Sequence, residues 1–323
     1  MMAVRVLVVG AGSIGQRHHA NLTALGAESR LRGWRGYGAE GFAAEIGEVD
    51  AAVIATATEI RLPLIEAAAR AGRPLYIEKP LAASPPEVEA IARATAPVAA
   101  RSMLGYMMRY HPAFRTLAQR DLSDVFQFSF AIGHDVTQWR PGWRFADSYA
   151  AREVGGGVLL DLCHEIDMAA CLFPGLSLGA VESHGIRGFP GVDAATRIGL
   201  WRAGVPERAR EVALAGEVAM DYLTPRLHRR AILRGWRAAL DFDFAAGRYQ
   251  IADGAGAHLL DLPLERNAMF MAIMGDFLAL VQGRPVLGVE HMPRLDLALP
   301  SARLVAEARA ARRFIGDIGK EIQ

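Results

Sequence analysis

Apolar positions in the first third of the chain gather in short β-branched runs separated by alanine-rich stretches, the pattern of a parallel sheet covered by helices. VRVLVV (Val4 to Val9) reads as a buried strand. A glycine-rich turn follows, then a helix over Ile14 to Leu25, a short strand near Ser29 to Trp34, and a second buried strand in AAVIAT, Ala51 to Thr56. A helix from Leu62 to Ala71 stops at Gly72, and the strand PLYIE runs into Lys79 and Pro80. Ser84 before two prolines marks the start of a helix over Pro85 to Thr95. VAARSMLGYM reads as one more strand, and YHPAF opens a helix that links the two halves.

From about Asp124 the period changes. GGGVLLDLCHEIDMAACLF, Gly155 to Phe173, is apolar enough to read as one helix, yet it carries Asp161, Cys163, His164, Glu165 and Asp167. The segments AVESHGIRG, AATRIGLWRA, REVALAGEVAMDYL, RRAILRGWRAALDFDF and RYQIADG then alternate with period two, as in an antiparallel sheet with one wet face. Helices return around Arg266 to Val281 and Pro300 to Phe314. The expected architecture is an α/β domain over residues 1–120 and an α+β domain with an open, mainly antiparallel sheet over residues 121–323. The basic run RLHRRAILRGWR reads as a solvated strand face.

Composition narrows the function classes. A chain of 323 residues is long for one core and comfortable for two. With 36 basic against 35 acidic residues, the charge of +1 gives no electrostatic case for nucleic acid. Two cysteines, Cys163 and Cys171, are too few for a disulfide scaffold and suit a reducing compartment, so cytoplasm is expected. The start VRVLVVG lacks the marks of a secretory leader, and no run approaches the roughly 18 apolar residues of a membrane span.

GAGSIG supplies Gly10, Gly12, Ser13, Ile14 and Gly15 between a buried strand and a helix, in G-x-G-x-x-G spacing. The first glycine serves a tight turn, the second a close backbone approach to a pyrophosphate, and the third close packing of helix on strand. The acid expected about 20 positions on, which grips the adenosine ribose, is missing. SRLRGWRGYG stands there instead, with Arg32 and Arg35 suited to a 2′-phosphate, so NADP is favoured over NAD. IEKPL places Glu78 and Lys79 at the carboxyl end of a strand, where open α/β sheets bind ligands.

These residues resemble the glucose-fructose oxidoreductase, inositol dehydrogenase and rhizopine-catabolism (Gfo/Idh/MocA) oxidoreductases. The resemblance is carried by VLVVGAGSIGQRHHANL, DAAVIATAT, AGRPLYIEKPLA, GYMMRYHPAF and GGGVLLDLCHEID, and covers nearly the whole chain. It implies a Rossmann domain, a second domain on an open sheet, and a sugar or cyclitol bound between them. It also implies that Lys79 contacts substrate and nicotinamide ribose, and that Asp161 and His164 stand at the reacting hydroxyl. Thr56, Ala57 and Thr58 fall on the nicotinamide side of the implied site. Two departures stand out: Asp161 and His164 are three apart where the family commonly has four, and ATATEIR puts Ala57 and Arg61 where proline and histidine are usual. This version resembles the branch associated with nucleotide-linked or amino sugars.

Hydride transfer at a carbinol carbon needs a proton acceptor, a positive group near the developing oxyanion, and orientation. His164 suits the proton, Asp161 orients it or accepts a substrate hydroxyl, and Lys79 stabilises charge; Lys79 as proton donor remains open. Tyr106, Arg109 and His111 are candidate substrate contacts, with hinge packing as the alternative. His18 and His19 read as packing or surface residues. The three glycines before Val158 are expected to let the chain approach substrate or cofactor. No metal is expected, because neighbouring residues on a helix splay by about 100° and leave two ligands per face. The reading is a nicotinamide-dependent dehydrogenase or reductase on CH-OH, in a homodimer or homotetramer. A non-redox enzyme holding tightly bound NAD, and a non-catalytic sensor, are the alternatives.

Overall fold

The computed structural model describes residues 3–139, 142, 144–204, 212–286 and 288–319. It divides into two compact units, one of Met1–His111 with Leu264–Arg303 and one of Pro112–Pro263 with Leu304–Gln323.

The first unit is built on five parallel strands: β1 (Arg5–Val9), β2 (Glu28–Arg32), β3 (Ala51–Ile54), β4 (Leu75–Ile77) and β5 (Met103–Leu104), in the order β2-β1-β3-β4-β5. Val6 to Val9 and all of β3 are buried, as strands covered on both faces require. The order reverses at β1, and a glycine turn leads from there into α1 (Ser13–Ala24). The helices α2 (Gly38–Glu45), α3 (Arg61–Arg70) and α4 (Pro85–Thr95) complete the crossovers, and α3 ends before Gly72 at φ +66°. The strand expected over VAARSMLGYM shrinks to β5. Ser102 Oγ donates to Val98 O at 2.9 Å and accepts from Leu75 N at 2.9 Å, so a side chain does what a ladder bond would have done.

The second unit begins with α5 (Pro112–Ala118) and β6 (Val125–Gly133), then α6 (Val158–Asp161) and α7 (His164–Leu172). Its remaining strands are β7 (Ser177–Ile186), β8 (Phe189–Arg202), β9 (Leu214–Asp221), β10 (His228–Gly235), β11 (Ala238–Asp243), β12 (Arg248–Asp253) and β13 (Gly256–Leu260). After α8 (Arg266–Val281) and α9 (Leu295–Ala310) the chain returns as β14 (Arg313–Ile318). The nine strands run β13-β12-β11-β10-β6-β9-β8-β7-β14, antiparallel except at β6–β9 and β7–β14. Among the described residues, no helix is long and apolar enough to cross a membrane.

The boundary expected at residue 120 falls at 111/112, and Leu264–Arg303 clusters with the first unit rather than the second. The reason is α8, whose Asn267 exchanges hydrogen bonds with Asn21 of α1 at 3.1 and 3.3 Å, and whose Phe277 packs on Tyr76. The last helix starts five residues before Pro300, and the chain is strand again by Phe314. Pro300 in its second turn forfeits one helical bond without ending the helix.

The single helix expected from Gly155 to Phe173 is two. Gly157 at φ +91° precedes α6, which ends after one turn at Leu162. Two of the three glycines are required by this corner of the unit itself. A Cβ at Gly157 would fall 2.1 Å from Asp193 Oδ1, and one at Gly156 within 2.4–2.7 Å of the carbonyls of Arg152, Ala150 and Tyr149. Asp193, fully buried, accepts from Leu159 N at 3.0 Å, from Thr196 Oγ1 at 2.7 Å, and from Arg312. One carboxylate thereby ties α6, β8 and the segment after α9. Removing one partner of a buried ion pair costs several kcal/mol, whereas exposed pairs contribute little. Asp193→Ala is therefore expected to lower the unfolding free energy by about 3 kcal/mol, read from the urea midpoint. Arg197→Ala, at the exposed Arg197–Glu217 pair, leaves that midpoint nearly unchanged.

Candidate functional site

The glycine turn has the geometry its spacing predicts. Gly10 adopts φ +113°, and a Cβ there would lie 2.3 Å from Ala55 O. At Gly15 a Cβ would come within 1.7 Å of Gly10 O, so this glycine lets α1 close on β1. Gly12 differs, because a Cβ there would meet nothing within 4 Å. Among the described residues no atom crowds that position, and Gly12 heads a helix with no side-chain cap and no acid in its first turn. An exposed, uncapped helix start of this kind fits a pyrophosphate, whose charge the first-turn N–H groups satisfy. Ser13 is exposed and Ile14 half-buried beside it.

At the end of β2, Arg32 lies in register with Val9, and its carbonyl accepts from Gly10 N at 2.9 Å. Its Nε donates to Glu45 Oε1 at 3.0 Å, while Arg35 is exposed. Arg32 thus stands beside the glycine turn as expected, already held on one edge by a carboxylate from α2. Burial, with Glu45 nearby, pushes the Tyr37 phenol up to about 12, so it is a neutral group beside this pair.

The loops after β3 and β4 are joined by a residue to which the sequence assigns no role. Arg61, 4% exposed at the start of α3, donates to Thr56 O from Nε at 3.0 Å and Nη2 at 2.7 Å. Its Nη1 donates to the carbonyls of Glu78 and Pro80, on either side of Lys79. Lys79 itself is half-buried, and its bond to Pro80 is cis. Below it the Glu78 carboxylate is buried, with Oε1 2.6 Å from His18 Nε2 and Oε2 accepting from Lys79 N at 3.1 Å. Gly105 makes room for that carboxylate, since a Cβ there would lie 2.9 Å from Oε2. His18 is a packing residue with a polar duty, set edge-on to Tyr76, and His19 Nδ1 contacts Ser29 Oγ at 2.8 Å. Thr56 is buried, and Ala57 and Thr58 are half-buried.

Tyr106, Arg109 and His111 are all buried in the first unit. The Arg109 guanidinium lies over the Tyr106 ring and donates to Met292 O at 3.4 Å and Ser301 Oγ at 3.1 Å. These Arg109 bonds tie the end of the sheet to α9 and the segment before it.

In the second unit Asp161 closes α6 and His164 opens α7, both buried, with Leu162 and Cys163 breaking the helix between them. Their three-residue spacing therefore cannot be argued from one helical face. Asp161 accepts from Tyr149 Oη at 2.9 and 3.0 Å and from Tyr222 Oη at 3.1 Å. Tyr149 is 45% exposed and Tyr222 fully buried. Burial, then the negative charge of Asp161, holds the Tyr222 phenol well above its ordinary value, so it donates as a neutral group. Neither tyrosine stands out in the sequence, for their bonds cross 12 and 61 residues and follow no period. Glu165, also buried, accepts from Arg229 at 2.6 and 3.2 Å, so part of the basic run expected to be solvated lies against α7. Among the described residues, no group of three His, Cys, Asp or Glu could hold a metal ion.

Burial works to raise the Glu78 carboxyl, but the His18 hydrogen bond and the charges of His18, Lys79 and Arg61 override it and leave its pKa lowered. A carboxylate whose folded pKa is depressed contributes stability that is full above its unfolded pKa, about 4.3, and lost as pH falls through the folded value. Unfolding free energies between pH 7 and pH 3 are thus expected to decline below about pH 4. Glu78→Gln should flatten that acid limb.

No protein-family model matches the chain. Over 188 residues it is 30% identical to the inositol 2-dehydrogenase of Rhizobium meliloti (strain 1021), covering 53% of this chain and 55% of that protein. The chain spans about half the length of the curated relatives it matches. Its fold is that of an inositol dehydrogenase homolog from Azotobacter vinelandii complexed with NAD+, at TM-score 0.77 and 14% identity, covering 96% of this chain and 95% of that one. A 3-ketoreductase from Actinomadura kijaniata, in complex with NADP and TDP-benzene, superposes with TM-score 0.74 and 19% identity over 98% of this chain and all of that one. The resemblance to the glucose-fructose oxidoreductase, inositol dehydrogenase and rhizopine-catabolism oxidoreductases therefore stands, in sequence over half of the chain and in fold over nearly all of it.

Proposed function

We propose that the protein is an oxidoreductase that moves a hydride between NAD(P) and a carbinol or carbonyl carbon of a sugar-like substrate. The observation that carries the reading is Gly12, open to ligand at the start of α1 and set at the reversal point of a parallel sheet. Gly10, Gly12, Ser13, Ile14 and Gly15 would hold the pyrophosphate, and Thr56, Ala57, Thr58 and Glu78 the nicotinamide side. When bound, the dinucleotide supplies the hydride acceptor or donor, and the protein supplies binding, orientation and proton handling. His164 takes the hydroxyl proton during oxidation and returns it during reduction, since imidazole exchanges protons near neutral pH. Asp161, itself accepting from Tyr149 and Tyr222, orients the substrate hydroxyl. Lys79 stabilises charge on the reacting oxygen. Tyr106, Arg109 and His111 shape the end of the first unit near Gly105.

For the adenosine end we favour NADP. The end of β2 offers Arg32 and Arg35 and no carboxylate of its own, and the Arg32 bond to Glu45 uses only Nε. For the substrate we favour a nucleotide-linked or amino sugar, in keeping with the sequence branch and with the nucleotide ligand of the Actinomadura enzyme. We place the protein in the cytoplasm, where both thiols stay reduced. We also favour a homodimer or homotetramer joined through the nine-stranded sheet. The helices of its own unit pack on the face bearing Phe128 and Val218, and the other face carries Gln127, Ser129, Gly199, Glu217 and an exposed Trp201.

Titration with NADPH and NADH, followed by nicotinamide fluorescence, is expected to show binding of both, NADPH the tighter. Arg32→Ala should weaken NADPH about tenfold and spare NADH, as the loss of one charge-assisted bond implies. Lys79→Ala and His164→Ala are expected to keep cofactor binding and lower turnover on a sugar panel by about 100-fold or more. Absence of binding to either dinucleotide overturns the reading.

A further inference from the structure

The loops after β3 and β4 leave the sheet at its carboxyl edge. The last ladder pair between them is Ile54 with Ile77, and Glu78 N still donates to Ile54 O at 3.0 Å, but the carbonyls of Thr56, Glu78 and Pro80 lie past that pairing. Their carbonyls still need donors where water is excluded. Arg61 supplies four N–H···O contacts to these three carbonyls from one planar group. Two of the carbonyls flank Lys79 in sequence, and the third opens the segment Thr56–Thr58. A guanidinium can span them because its donors are fixed in a fork, which neither an ammonium nor an imidazole reproduces.

We propose that Arg61 is a positioning residue that sets the backbone on both sides of Lys79 against the Thr56–Thr58 loop, and so fixes the lysine for reaction. The proposal rests on the oxidoreductase reading above. Arg61 acts on the lysine through the main chain it holds, and the ammonium of Lys79 does the chemistry. A misplacement of the order of 1 Å at a reacting group costs about 100-fold in rate without a matching loss of binding. That signature separates positioning from mere stability.

The test uses the whole protein as wild type, Arg61→Lys and Arg61→Gln. It measures dinucleotide affinity, kcat and KM on a sugar that the wild type turns over, the thermal unfolding midpoint, and the rate of Lys79 acylation by acetic anhydride read by mass spectrometry. Arg61→Gln is expected to lower kcat about 100-fold with KM and dinucleotide affinity within about threefold. Arg61→Lys, which restores one donor group, should regain part of that loss. Lys79 acylation should change at least threefold in Arg61→Gln. If Arg61→Gln does not fold, Arg61→Lys carries the test, with kcat lowered about tenfold and affinity kept. A kcat within twofold of wild type in the folded variants, or a loss of activity that follows the unfolded fraction alone, overturns the proposal. If the wild type binds no dinucleotide and turns over no sugar, the oxidoreductase reading fails separately. The acylation rate then decides the positioning role alone: a threefold change supports it and an unchanged rate overturns it.

Discussion

Glu78 is a buried carboxylate, and the carboxyl edge of the first sheet is organised around keeping it charged. Burial alone would drive the group neutral, but His18 contacts one oxygen and the Lys79 amide donates to the other. Arg61 adds a positive charge close by while using its N–H groups on main-chain carbonyls. Each group answers a need created by another. The loops require donors, the donor brings a charge, the charge is offset by Glu78, and Glu78 requires an imidazole from α1. The result is that α1, α3 and the ends of β3 and β4 cannot shift independently, and the glycine turn belongs to the same rigid set through Gly10 and Ala55.

The second unit meets the problem of a broken helix in a similar way. A one-turn α6 has too few internal bonds to persist alone. Asp193 anchors its start and Glu165 with Arg229 anchors the start of α7, so the corner carrying Asp161 and His164 is held from two strands. Buried carboxylates paired with arginine are costly to form and costlier to break, which suits a corner that must not rearrange. Gly157 is needed for that anchoring, because Asp193 occupies the space a side chain at that position would take.

Features of the sequence with a period or a fixed spacing were legible. Buried strands, the amphipathic helices, the tight turn at Gly10 and the close packing at Gly15 follow from local rules, and α4 and α8 fall at the expected residues. What escaped depends on partners far along the chain. Nothing near Gly157 foretells Asp193, nothing near Asp161 foretells Tyr222, and Arg61 looks like a departure from a family pattern until its carbonyl partners, 5, 17 and 19 residues away, are in place. The return of Leu264–Arg303 to the first unit is of the same kind, because α8 has the composition of a core helix and its sequence does not say which core.

The arrangement around Asp161 bears on the division of labour left open by the residues alone. Two phenols donate to its oxygens, one from the buried Tyr222 and one from the half-exposed Tyr149. A carboxylate in that position serves as an acceptor, and a substrate hydroxyl reaching it would join or displace the more exposed phenol. Tyr149 is the more exposed of the two partners, whereas Tyr222 is packed between Trp139 and Phe145. On the proposed reading Asp161 therefore reads hydroxyl position, and His164 is left to exchange the proton.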